Sequence, residues 1–179
     1  LVEDIINFLR NLVSGGAGFL GSHLIDKLMK NGHQVFCLDN FLTGNKQNIS
    51  RWIGNPRFTL IQHNVLNKLS LKVENVWHLA CPASPMHYQN DPIKTSEIIV
   101  MGTLNMLEIA KKSQAKFLLA SSSEVYGEPE EHPQSEKYFG SVNTLGNRSC
   151  YEEGKRLAES LTKDYFLTHN IDIKIARIF

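Results

Sequence analysis

Three glycines at Gly15-x-x-Gly18-x-x-Gly21 stand between a short apolar run, Leu12-Val13-Ser14, and a stretch of helical periodicity. No other feature constrains the chain as much. Glycine at those points permits a tight turn, lets the backbone approach a pyrophosphate, and lets a following helix pack close to a sheet. The first N–H groups of that helix point at the anion, and the helix dipole favours its charge. Leu20, Leu24 and Leu28 recur every four residues with Ile25 beside them, and Asn31-Gly32 supplies the helix stop. Asp39 lies 18 residues beyond Gly21, at the end of the next β-type run. A carboxylate there accepts hydrogen bonds from an adenosine ribose and repels a 2′-phosphate. The pattern predicts dinucleotide binding, with NAD favoured over NADP.

The rest of the chain alternates strands with helices, which points to an α/β fold with a doubly wound parallel sheet. Strands are expected at Leu12–Ser14, Gln34–Leu38, Phe58–Val65, Val76–Ala80, Lys116–Ser121 and Ile171–Phe179. Long helices are expected at about Ile93–Lys112, with Ile93, Val100, Leu104, Leu107 and Ala110 in register, and at Ser149–Thr168. Pro82, Pro85 and Pro92 punctuate a loop between them. With 179 residues the chain has room for one domain. Residues 1–11 read as a separate segment and residues 12–179 as the nucleotide-binding unit. The final strand is so apolar that it would be an association hazard at an open edge, so the sequence is read as a fragment cut before its next elements.

Nineteen Lys and Arg against 18 Asp and Glu leave a net charge of +1, which argues against nucleic acid as a partner. No apolar run is long enough to span a bilayer, and Glu3 and Asp4 interrupt what would be a secretory signal. Cys37, Cys81 and Cys150 make no C-x-x-C pair, and the seven histidines show no metal-ligand spacing. A reducing, cytoplasmic setting with no metal is the expectation, and the histidines read as surface or packing residues.

Tyr151 and Lys155 lie at i and i+4, on one helix face. A phenol with a pKa of about 10 is a poor base at neutral pH. An ammonium about 4 Å away contributes roughly 4 kcal/mol at an effective dielectric of about 20, enough to bring it near 7. Ser121-Ser122-Ser123-Glu124 closes the fifth strand at the carboxyl edge, where doubly wound sheets gather their ligands. Its hydroxyls can bond a substrate hydroxyl, and Glu124 can relay a proton.

Taken together, Tyr-x-x-x-Lys and the glycine turn resemble the extended short-chain dehydrogenase/reductase superfamily, in its nucleotide-sugar-modifying branch. The runs Gly15–His23, Asp39–Gly44, His78–Pro85, Ser121–Gly127 and Cys150–Arg156 resemble the UDP-glucuronate decarboxylase family over about Leu12–Phe179. The resemblance implies a Rossmann-like fold, truncated before a smaller substrate-binding region, and a cofactor, NAD. It implies that Tyr151, activated by Lys155, removes the C4 hydroxyl proton of UDP-glucuronate while hydride leaves for NAD⁺. The resulting 4-ketone lets CO₂ depart, and return of the hydride yields UDP-xylose. By the same resemblance Ser122 bonds the C4 oxygen, and Glu124 positions the sugar. Gly15, Gly18, Phe19, Leu20, Gly21, Asp39, Asn40, Phe41, Thr43, Asn64, Val65, Leu79, Ala80, Cys81 and Ala120 join Tyr151 and Lys155 around NAD. Pro82, Ser84 and Asn105 approach the nucleotide-sugar. A homodimer through the two long helices is implied too, and relatives with an added anchor occur in the Golgi lumen.

Departures from the family keep alternatives open. Asn64 replaces an Asp that contacts adenine, Ser70 stands where a Tyr often meets substrate, and Asn11 interrupts a strand that is usually apolar. Glu97, Ile98 and Ile99 replace Lys, Thr and Asn, and a carboxylate there could repel an anionic substrate. One alternative is a catalytically incomplete NAD-binding fragment or pseudoenzyme. Another is a nucleotide-sugar epimerase or 4,6-dehydratase of the same superfamily. Ser123 counts against a dehydratase, which places an acidic Asp there, and Glu124 counts against the epimerases.

Overall fold

The computed structural model describes residues 8–179, so residues 1–7 of the separate N-terminal segment lie outside the described residues. Six strands form one parallel sheet: β1 (Arg10–Ser14), β2 (Gln34–Asp39), β3 (Phe58–Gln62), β4 (Asn75–His78), β5 (Lys116–Ser122) and β6 (Ile173–Ile178). Their spatial order is β3-β2-β1-β4-β5-β6, and every neighbouring pair is parallel. The order reverses between β1 and β4, where diverging crossovers open a crevice at the carboxyl ends of the strands.

Helix α1 (Phe19–Lys30) links β1 to β2, α3 (Pro92–Ser113) links β4 to β5, and α4 (Ser149–His169) links β5 to β6. Successive strand residues point to opposite faces, so each face has its own core. Leu12 joins Ile99, Met106, Leu107 and Leu119 on the α3–α4 side. Val13 joins Ile25, Met29, Val35 and Ile49 on the α1 side. This is the doubly wound α/β arrangement that the alternation of elements predicts. Among the described residues no helix is long and apolar enough to cross a membrane.

The structure corrects several boundaries and faces. The third strand stops at Gln62 rather than Val65, because its partner β2 ends at Asp39, paired with Gln62. Beyond it the Asn64 side chain accepts from the Leu66 N–H at 3.0 Å and turns the chain. A short helix α2 (Pro85–Tyr88) occupies part of the stretch read as a loop, and a 3₁₀ segment spans Lys46–Trp52. The buried face of α1 is Gly21, Ile25, Leu28 and Met29, which leaves Leu20 half exposed at the crevice. Helix α3 buries Ile98, Ile99, Gly102, Thr103, Met106 and Leu107 and leaves Ile93 exposed. A Cβ on Gly102 would lie 2.9 Å from Val65 Cγ2, so α3 packs closely on the segment that follows β3 at that point. The apolar β6 is indeed an edge strand, with Ile173 and Ile175 partly buried against the core.

Asn11 does not interrupt the first strand but lies within it, buried. Its Oδ1 accepts from Asn75 Nδ2 and Trp77 Nε1, each at 3.0 Å, and its Nδ2 donates to the Leu9 carbonyl at 3.0 Å. Every polar atom of the amide is matched, which is what makes a buried asparagine tolerable. An Asn11→Leu change strands two donors and is expected to cost about 2–4 kcal/mol, read as a lower urea midpoint.

His78, at the carboxyl end of β4, is buried with its Nδ1 2.7 Å from Ser14 Oγ. Burial first, and then the charge of Lys155, lowers its pKa from 6.5 to about 3. The unfolded chain therefore binds the proton more readily in that window. Stability from the neutral ring is fully present above pH 6.5 and is lost progressively as the pH falls toward 3. Denaturant midpoints measured from pH 7 to pH 5 are expected to fall, and His78→Asn, which retains a partner for Ser14, is expected to flatten that slope.

Candidate active site

A cavity of about 480 Å³ opens at the reversal of strand order. Its floor is the glycine turn. Gly15 has φ +72°, and a Cβ there would meet the Ala80 backbone at 2.8 Å. A Cβ on Gly21 would lie 2.2 Å from the Gly15 carbonyl oxygen, so α1 starts in contact with the turn itself. Gly18 differs, since the only atom near its would-be Cβ is the Gly15 oxygen at 3.2 Å. The space it leaves is open to a ligand. Gly18 is also the N-cap of α1, with no side-chain cap and no acidic residue in the first turn. Unmatched helix N–H groups beside an open glycine suit a phosphate-bearing ligand.

Asp39 closes one end of the cavity. Its Oδ2 accepts from the Ala17 N–H at 2.9 Å and its Oδ1 from the Phe41 N–H at 2.8 Å. Each oxygen keeps a lone pair free for a ribose hydroxyl. Gly15, Gly18, Phe19, Leu20, Gly21, Asp39, Asn40 and Thr43 line the cavity. So do Asn64, Val65, Leu79, Ala80, Cys81 and Ala120. Phe41 does not. Its backbone takes the left-handed φ of +59°, and its ring turns toward the Lys46 ammonium, 5.0 Å from the centroid.

At the other end α4 presents Tyr151 and Lys155 beside Ser122, Pro82 and Ser84. Lys155 Nζ donates to the Ala120 carbonyl at 2.7 Å and lies 5.7 Å from the centre of the Tyr151 ring. Burial dominates and pushes the Tyr151 phenol above its ordinary value, while a hydrogen bond with Ser122 pulls weakly the other way. In this arrangement burial, and not the ammonium, sets the direction of the phenol's shift. The Tyr151 ring is stacked on Tyr88, with centroids 4.8 Å apart and planes 16° from parallel. This is an offset-stacking distance that removes water from one face of the phenol.

Tyr88 and Arg148 are residues that sequence reasoning missed. The Tyr88 hydroxyl accepts from Arg148 Nε at 3.2 Å, and its carbonyl accepts from Thr95 Oγ1 at 3.1 Å. The same guanidinium forms an ion pair with Glu124 and stands 3.9 Å from Glu152. Glu124 is therefore engaged by Arg148 and does not line the cavity, contrary to its expected place at the substrate. Asn105 also lies outside the lining, its amide donating to the Val65 carbonyl at 2.8 Å. Both sit on elements that face the site, but a nearby polar partner takes each side chain. No periodicity or spacing marks Tyr88 or Arg148, because their roles arise from contacts between distant segments.

His63 and His87, read as surface or packing residues, line the cavity, as do Ser121 and Ile178. Of the three substitutions in α3, Ile98 lines the cavity and Ile99 is buried. The Glu97 carboxylate instead pairs with Lys94 Nζ at 2.9 Å on the exposed side, so it does not confront a ligand. Burial raises the Cys81 and Cys37 thiols, Cys37 to about 12 with help from Asp39. Among the described residues no cluster of metal-ligating side chains occurs.

Comparison with known proteins agrees with this geometry. Residues 12–179 match the family described as GDP-mannose 4,6 dehydratase. UDP-glucuronic acid decarboxylase 3 of Arabidopsis thaliana is 56% identical over 172 residues, 96% of this chain and 50% of that protein. UDP-glucuronic acid decarboxylase 1 of Xenopus tropicalis is 54% identical over 170 residues, 95% of this chain and 40% of that protein. The chain thus spans half the length, or less, of these curated relatives. A dTDP-glucose 4,6-dehydratase from Streptomyces venezuelae, solved with NAD bound, superposes with a TM-score of 0.83 at 25% identity, covering 94% of this chain and 55% of that one. With a matching pattern over residues 12–179 and a parallel sheet that places glycine turn, Tyr151 and Lys155 around one cavity, the chain belongs to the GDP-mannose 4,6 dehydratase family and is similar within it to UDP-glucuronic acid decarboxylases.

Proposed function

We propose that this chain acts in the NAD-dependent decarboxylation of UDP-glucuronate to UDP-xylose. The observation that carries the reading is that Tyr151, Lys155 and Ser122 share one cavity with the glycine turn and Asp39. Gly15, Gly18 and the first N–H groups of α1 would hold the pyrophosphate, Asp39 the adenosine ribose, and Asn64 and Val65 the adenine end. The chemistry that NAD supplies when bound is reversible hydride transfer at C4 of the sugar.

The residues then divide the proton work. Ser122 bonds the C4 oxygen, and Tyr151 takes the hydroxyl proton and later returns it. A ketone at C4 stands β to the C6 carboxylate, so the electrons left by departing CO₂ delocalise into it as an enolate, which takes one proton from water at C5 before the hydride returns to C4. Lys155 supplies fixed positive charge, its Nζ 5.7 Å from the centre of the Tyr151 ring. A decarboxylation needs no acid to expel a C6 hydroxyl, and Ser123 offers none. The relatives named UDP-glucuronic acid decarboxylase support the same substrate. A homodimer through α3 and α4 belongs to this reading, and Met101 and Leu157 on those helices stay close to half exposed.

A second reading, an NAD-binding unit without turnover, draws on two observations: the upward push on Tyr151 and the capture of Glu124 by Arg148. One experiment separates them. Residues 12–179 are grafted in place of the matching segment of the Arabidopsis decarboxylase and given UDP-glucuronate and NAD⁺. Release of CO₂ with UDP-xylose in the mass spectrum is expected, and Tyr151→Phe is expected to lower turnover about 10²- to 10⁴-fold while leaving NAD⁺ affinity unchanged. A chimaera that binds NAD⁺ and makes no UDP-xylose establishes the second reading. A fully active Phe variant ends the assignment of the base.

A further inference from the structure

Three hydrogen bonds converge on Ala17, the buried residue in the middle of the glycine turn. Its N–H donates to Asp39 Oδ2 at 2.9 Å. Its carbonyl accepts from the Asn45 N–H at 3.0 Å and from Asn48 Nδ2 at 2.8 Å. The same peptide unit is held on its other side, where the Gly18 N–H donates to the Gly15 carbonyl at 3.1 Å. The plane of the peptide leading into α1 is thereby fixed from both edges.

The segment supplying those bonds also forms the Asp39 end of the cavity, through Asn40, Leu42, Thr43 and Gly44. Gly44 lies directly on the turn, since a Cβ there would be 2.9 Å from Asp39 Oδ1 and 3.1 Å from Ala17 Cβ. Farther along, the segment is tied down on α1. Trp52 Nε1 donates to Asp26 Oδ1 at 2.7 Å, Arg51 Nη1 pairs with Asp26 Oδ2 at 3.0 Å, and Ile49 is buried beneath them. One continuous stretch therefore touches both the Asp39 end of the cavity and the turn that would hold the pyrophosphate.

We propose that residues 40–52 form a strap that keeps the pyrophosphate turn in register with the adenosine end of the cavity, and that Asn48 is its positioning residue. The inference rests on the NAD reading and adds to it a residue that touches no ligand. Asn48 is the side chain for the role because its amide donates to a main-chain oxygen of the turn, a bond that any residue without a donor at that reach forfeits. Loss of the bond leaves the Ala17 carbonyl held by the Asn45 N–H alone, which widens the rotation open to the Ala17–Gly18 peptide. That rotation disturbs recognition of phosphates more than recognition of adenosine, which meets Asp39 and Asn64 instead.

The test uses the chain itself and compares adenosine with ADP-ribose by chemical-shift titration. Asn48→Ala is expected to weaken ADP-ribose about 3- to 10-fold, the worth of one hydrogen bond, and to leave adenosine unchanged. Asn48→Asp keeps the size and removes the donor, and it is expected to show the same selective loss should the alanine variant fold poorly. Equal weakening of both ligands, or none of either, overturns the strap. If the unsubstituted chain binds adenosine and ADP-ribose with no gain from the pyrophosphate, the cofactor reading and the strap fall together. Binding of ADP-ribose with an unselective Asn48 variant removes only the strap.

Discussion

The contact on which the site depends is one between backbones. Helix α1 begins so near the glycine turn that a single added carbon at Gly21 would stand 2.2 Å from the Gly15 oxygen. That closeness fixes where the N-terminus of α1 points, and so where an anion can be held. It also fixes how β1 meets β4, because the turn at Gly15 abuts the Ala80 backbone. Among the described residues the sheet reverses its order at the crevice between those two strands, and Tyr151, Lys155 and Ser122 reach it from the β5 and α4 side.

Much of the fold could be read from residues, for a reason that applies element by element. The switch from β-type runs to helical periodicity is local, and parallel strands buried on both faces are near-continuous in apolar residues. Leu118-Leu119-Ala120 and Gln34–Leu38 announce themselves in this way. Boundaries set by a partner were harder. The end of β3 is decided by where β2 stops, and nothing within Phe58–Val65 says so. Asn11 looked like a flaw in a strand because its partners, Asn75 and Trp77, lie 64 and 66 positions away. Face assignments on α1 and α3 drifted because a leucine at helical spacing can line a crevice as easily as a core, as Leu20 does.

The site divides along the same line. Glycines, Asp39 and the Tyr–Lys spacing carry their chemistry in type and position, and the structure brings them together. Glu124, Asn105 and Phe41 were expected in the same cavity and are turned aside by Arg148, the Val65 carbonyl and Lys46. Each diversion is a competition between one polar or aromatic group and a neighbour that only folding supplies. The stack of Tyr88 on Tyr151 is of the same origin, and its partner Arg148 ties the ring that desolvates the phenol to the carboxylate of Glu124.

The anchor of Lys155 has a consequence for how freely this neighbourhood can change. Its ammonium grips the main-chain oxygen of residue 120, on a strand held by neighbours on both sides. No side chain is involved, so substitution at that position leaves the acceptor in place. Charge at the heart of the cavity is thus insulated from sequence drift in the strand beneath it, and the helix can keep its angle to the sheet while the surrounding side chains are exchanged.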